Sequence, residues 1–222
     1  MSRSLLFVAL LGAVGCANYS QLQDAETLPA GQQRFGVGAS FSNYKLKLGT
    51  NQDGTPHEDT VSVPAVVVTA RRGLTDDLEV QAAAWLPLGA RAGVKYRLLG
   101  EAGKTGLHVS LGAHVGYLKL SASSDNTDSS VTFIDAYVPL YVGYRLSESF
   151  EVYSAPQYIL RSAFGASSDG STTSNGAQFG HVIGTTVGIA IGSRSKFFLE
   201  GGGFYDTFYS TPIVNGAIGL AF

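Results

Sequence analysis

From position 34 to the end of the chain, apolar side chains recur with a period of two rather than 3.6. This is the spacing of β-strands, whose successive residues face opposite sides. Ten strands are predicted, over 34–48, 61–72, 77–88, 90–99, 107–121, 131–146, 150–162, 177–191, 196–209 and 212–222. The sixth is the clearest. Ile134, Ala136, Val138, Leu140, Val142 and Tyr144 share one face, and Asp135, Tyr137, Tyr141, Gly143 and Arg145 share the other. The first two strands alternate less regularly, and a bulge near Asn43 would bring the first into phase. Short links at 73–76, 100–106, 147–149 and 192–195 alternate with longer polar ones at 49–60, 122–130 and 163–176. The links near Gly89 and Ser210 are tight where length is expected.

Alternation alone does not say which face looks inward, because soluble barrels alternate too. Composition separates the two cases. Only 14% of the 222 residues are charged, against about 25% in soluble globular proteins. The less apolar faces are built mainly from Gly, Ser, Ala, Thr and Gln, which suits the interior of a narrow membrane barrel. On the apolar faces, Phe35, Tyr96, Tyr144, Phe150, Phe197 and Phe222 fall near one strand end, and Tyr44, Tyr117, Tyr158, Phe179 and Tyr205 near the other. Two aromatic girdles are what a slab with two interfaces selects. A net charge of −2 leaves no basic surplus for nucleic acid.

The first residues belong to export rather than to the fold. Arg3 precedes an apolar run from Leu5 to Gly12, far too short to span a bilayer as a helix. Ala13-Val14-Gly15-Cys16 resembles the bacterial lipobox, which implies lipid attachment at Cys16; ordinary signal cleavage beside it is the alternative. Residues 1–16 are therefore read as an export signal with a lipobox-like end. Residues 17–33, polar and aperiodic, are read as a flexible periplasmic tether, and 34–222 as the barrel. Such a tether has an end-to-end distance of about 20–25 Å.

Val214, Gly216, Ile218 and Leu220 alternate up to the terminal aromatic Phe222. This resembles the assembly signal of bacterial outer-membrane β-barrels. The resemblance implies an all-β, single antiparallel up-and-down transmembrane barrel with short periplasmic turns and longer outer loops. It implies a Gram-negative outer-membrane location with both termini periplasmic. Its partners would be outer-membrane lipid and the barrel assembly machinery, and no nucleic acid.

Charges on the inward faces are balanced. Glu79, Asp135, Glu151, Glu200 and Asp206 oppose Arg91, Lys95, Arg97, Arg145 and Arg161. In a confined lumen they are expected to pair with one another, because an isolated buried charge costs several kcal/mol. Other chemistry is thin. Gly103-Lys104-Thr105 lacks the first glycine of a phosphate loop. His108 and His114 lie about 20 Å apart along a strand, too far to share a metal. The strand count is similar to that of the omptin proteases, but no histidine lies two residues from Asp206. The expectation is a structural, interaction or minor transport barrel, not an enzyme, with no metal and no cofactor. A small solute pore or transporter is the first alternative. A membrane-embedded barrel enzyme acting on lipid or peptide is the second.

Overall fold

The computed structural model describes residues 19–50, 56–86, 89–124, 127–168, 173–207 and 210–222. Cys16 and the export signal lie outside these residues. The chain forms β1 (Gln33–Thr50), β2 (Pro56–Gly73), β3 (Leu78–Leu86), β4 (Gly89–Leu99), β5 (Gly106–Ser124), β6 (Thr127–Ser147), β7 (Phe150–Ser168), β8 (Thr173–Ile191), β9 (Lys196–Asp206) and β10 (Thr211–Ala221). Each strand pairs antiparallel with its neighbours in sequence, and β1 closes the barrel on β10. At the seam, Phe35 N donates to Phe222 O at 2.9 Å and Phe222 N to Phe35 O at 2.8 Å. Closure leaves no free strand edge around the middle of the barrel.

The alternation is realised with the apolar side outward. Val138 on β6, Val115 on β5, Val214, Ile218 and Leu220 on β10, and Phe222 just after it are all exposed large hydrophobics, while Tyr141 and Arg161 are buried in the lumen. An apolar exterior this continuous does not suit water and does suit hydrocarbon. Phe41 lies across the neighbouring Gly216, where an added Cβ would come within 2.7 Å of its ring.

Two expectations are corrected. No bulge occurs near Asn43, where Ser42, Asn43 and Tyr44 pair in register with Val63, Ser62 and Val61; the irregularity falls between Lys47 and Gly49. The first strand was in phase all along. Its inward positions, Gly36, Ser40 and Ser42, are small rather than conspicuously polar. The second correction concerns residues 17–33. The described part of the expected tether runs inside the barrel, and residues 19–28 are each at most 8% exposed.

The rim opposite the short turns is uneven. β5, β6, β7 and β8 have 19 to 21 residues and β1 and β2 have 18, whereas β3, β4, β9 and β10 have 9 to 11. About 9–11 residues suffice to cross a bilayer as a tilted strand. The β3–β4 and β9–β10 hairpins therefore end where the other strands continue, which accounts for the tight links near Gly89 and Ser210.

Candidate functional site

The lumen and the segment inside it form the one built site among the described residues. The segment has no regular structure, so its backbone N–H and C=O groups need partners from elsewhere. The wall supplies them. Glu200 on β9 accepts from Gln21 N at 2.8 Å, Leu22 N at 2.6 Å and the Tyr153 hydroxyl at 2.6 Å. Glu151 on β7 accepts from Ala25 N at 3.0 Å, and Glu79 on β3 from Leu28 N at 2.8 Å. The carbonyls are met by donors. Arg91 reaches Ser20 O at 3.3 Å, Lys95 Asp24 O at 3.1 Å, Arg71 Glu26 O at 2.8 Å and Ser110 Ala25 O at 2.7 Å.

The segment's acids complete the charge pattern. Near the short-turn end, Arg34, Arg71, Lys95, Arg145 and Lys196 outnumber Glu79 and Glu151, and Asp24 and Glu26 offset most of the difference. Asp24 pairs with Arg71 at 3.1 Å and with Lys196. Glu26 pairs with Arg145 at 2.7 Å. Carboxylate oxygens of Asp24, Glu26 and Glu151 lie within 4.8 Å of one another. The ammonium of Lys196 stands among them, 3.7 Å from Glu26 and 4.0 Å from Glu151.

The expected network of wall charges is thus only partly a network of its own. Arg161 does bind Asp135 at 2.8 Å and Asp206 at 3.1 Å, in the part of the lumen away from the short turns. Glu79 also pairs on the wall, with Arg71 at 2.7 Å and Lys95 at 4.0 Å, while Glu79, Arg91, Lys95, Arg145, Glu151 and Glu200 hold the segment. Arg97 belongs to neither set, since it reaches Asp77 in the β2–β3 turn at 2.5 Å, at the rim. Sequence reasoning missed Arg71, Lys196, Asp24 and Glu26. Arg71 is an inward residue that the run Val66-Val67-Val68 hides from any test of alternation.

Packing is matched to the segment as well. Leu22 lies over Gly38 and Gly219, where an added Cβ would come within 2.7 and 3.0 Å of its side chain. Tyr19 stacks on Phe204 with ring centroids 4.3 Å apart, in a cluster with Tyr137, Ile159, Val182 and Ile213. Beside the segment a cavity of about 10 Å³ is lined by Gln21, Arg71, Arg91 and His114, among others. It has room for one water, which the unpartnered Arg91 Nη1 and His114 ring nitrogens can bind.

A closed ten-stranded antiparallel barrel, apolar outside and charged within, places this chain in resemblance to outer-membrane β-barrels as a class. No family model matches the sequence, and no curated protein matches it. Among solved structures, the chain is similar to Ail, the attachment invasion locus protein of Yersinia pestis, at 12% identity over 87% of this chain and 99% of that one, with a TM-score of 0.38. It is similar to Neisserial surface protein A at 12% identity, over 85% and 95% of the two chains, with a TM-score of 0.41. A third is the translocator domain of the autotransporter NalP from Neisseria meningitidis, at 10% identity over 99% and 94%, with a TM-score of 0.46.

Proposed function

We propose that this protein is a closed outer-membrane barrel with a structural or surface-interaction role, its lumen occluded by its own amino-terminal segment. The observation that carries this reading is the burial of residues 19–28, with wall carboxylates accepting their N–H groups and wall cations meeting their carbonyls. A conducting path needs continuous water, and these side chains and backbone groups occupy that space. Ten strands also enclose little, since wide aqueous channels begin at about 16.

Residues 1–16 direct export, with lipid attachment at Cys16 or cleavage beside it. The outward row Val214, Ile218, Leu220 and Phe222 engages the barrel assembly machinery. The short turns face the periplasm, and the long hairpins stand outside.

Planar-bilayer conductance tests the central claim. The purified protein is expected to insert without a steady open current, while a deletion of residues 19–28 conducts. A steady current through the intact chain overturns the occluded barrel in favour of a small pore.

A further inference from the structure

We propose that the chain threads the barrel from its periplasmic end to its outer end, so that whatever precedes Tyr19 is presented at the cell surface. This rests on the membrane orientation proposed above.

The direction is fixed by contacts at successive heights. At the short-turn end, Gly31 N donates to Gly73 O at 2.9 Å, Ala30 N to Asp76 Oδ1 at 3.1 Å and Thr27 Oγ1 to Asp76 O at 3.0 Å. From there the segment climbs along β9. Asp24 meets Lys196 at the start of that strand, Gln21 and Leu22 meet Glu200 in its middle, and Tyr19 stacks on Phe204 near its end. Tyr19 also shares a buried cluster with Ile213, near the start of β10. A tether running from the periplasm to β1 would show none of these contacts above the first turn.

The wall is low beside Tyr19. β9 ends at Asp206 and β10 begins at Thr211. Their neighbours continue past that level: β8 pairs with β9 only from Val182 yet starts at Thr173, and β1 pairs with β10 only as far as Tyr44 yet runs to Thr50. Tyr19 thus packs at the level where β9 ends and β10 begins, in a cluster that also takes in Tyr137, Ile159 and Val182 from β6, β7 and β8. Three peptide units separate it from Cys16, a span of at most about 11 Å. A lipid group on Cys16 would then lie beside the outer leaflet, not the inner one that a periplasmic tether serves. No acylated end need be pulled through a closed lumen. The barrel closes by pairing β1 with β10, and the segment is continuous with β1, so it can be laid against β9 before the seam forms.

The test is antibody access to a short epitope in intact and permeabilised cells. The tag is inserted between Ala17 and Asn18, at residues 169–172 between β7 and β8, or in the 101–104 turn. Tags at 17/18 and at 169–172 are expected to bind antibody on intact cells, and the tag at 101–104 only after permeabilisation. If the tag at 169–172 is accessible and the 17/18 tag is not, threading is wrong while the orientation stands. If the 101–104 tag binds on intact cells and the tag at 169–172 does not, the orientation is reversed; threading then survives if the 17/18 tag is shielded as well and fails if it binds. Labelling Asn18→Cys in a Cys16→Ala background with an impermeant maleimide gives the same readout without an insertion.

Discussion

The backbone N–H of Leu22 donates to the carboxylate of Glu200 at 2.6 Å, so an acid on the barrel wall does for this segment what a helix or sheet does elsewhere. Gln21 N and the Tyr153 hydroxyl share the same carboxylate, and the site is buried. Glu200→Ala leaves all three donors without an acceptor. Removing a hydrogen-bond acceptor that carries a charge is expected to cost about 3 kcal/mol. Denaturant unfolding in detergent measures it, and the variant should also flicker open in a bilayer. Unchanged stability and silence would mean that Glu200 does not hold the segment.

Asp24 joins two walls, reaching Arg71 on β2 and Lys196 on β9. Asp24→Ala takes one carboxylate from two buried cations, leaving Arg71 with Glu79 and Lys196 with the more distant Glu26 and Glu151, so a loss of about 3 kcal/mol is expected, the low end for breaking a buried pair. Adding Lys196→Met removes the less well compensated cation and should recover part of that loss. The coupling in this double-mutant cycle is the measurement. If the two substitutions are additive, the lumen is wet enough to solvate both partners and the pairing is incidental.

Much of the barrel was legible because a period of two survives wherever the two faces differ chemically. β6 shows it plainly, with Leu140 outward and Tyr141 inward. β2 does not, since Val67 faces in between the outward Val66 and Val68. The lumen was legible only in part. Balanced wall charges gave grounds for expecting ion pairs, and Glu79 does pair with Arg71, yet Glu79, Glu151 and Glu200 each also accept backbone N–H groups of the segment. The partner was hidden because residues 19–28 carry no period. Gln21, Gln23, Asp24, Glu26 and Thr27 look like a solvated linker. Their solvent turns out to be the wall itself, and polarity alone does not distinguish a charged lumen from water.

The seam offers a third prediction. Phe35 and Phe222 exchange both backbone hydrogen bonds at the carboxyl-terminal edge of the closure, and both rings are exposed on the outer surface. Deleting Phe222 removes that pair and the last residue of the outward row. Less folded protein should reach the membrane, read as loss of the heat-modifiable band on a gel run without boiling. Phe222→Tyr keeps the ring and the backbone and should assemble normally. If the deletion assembles as well as the intact chain, the terminal aromatic has no part in assembly.

The assignment of faces carries the whole account, and Leu140 and Tyr141 test it directly. Leu140 points away from the lumen, between Val138 and Val142 along the outer face of β6. Tyr141 is buried, donating to Gln21 Oε1 at 2.9 Å and accepting from Gln23 Nε2 at 2.7 Å. A cation at the bilayer midplane of a membrane barrel costs roughly 2–4 kcal/mol, so Leu140→Arg should lose about that much. Tyr141→Phe should cost less, about 1 kcal/mol, and loosen the segment rather than the barrel. Damage at 140 alone decides nothing, because a soluble barrel with an apolar core predicts it too. Spin labels at cysteines placed at 138, 140 and 142, in a Cys16→Ala background, separate the cases. Labels facing lipid are relaxed by oxygen and shielded from a polar nickel reagent, and this is the expected pattern. Labels at all three sites shielded from both agents would mean that the apolar face is the core, and the barrel inside out.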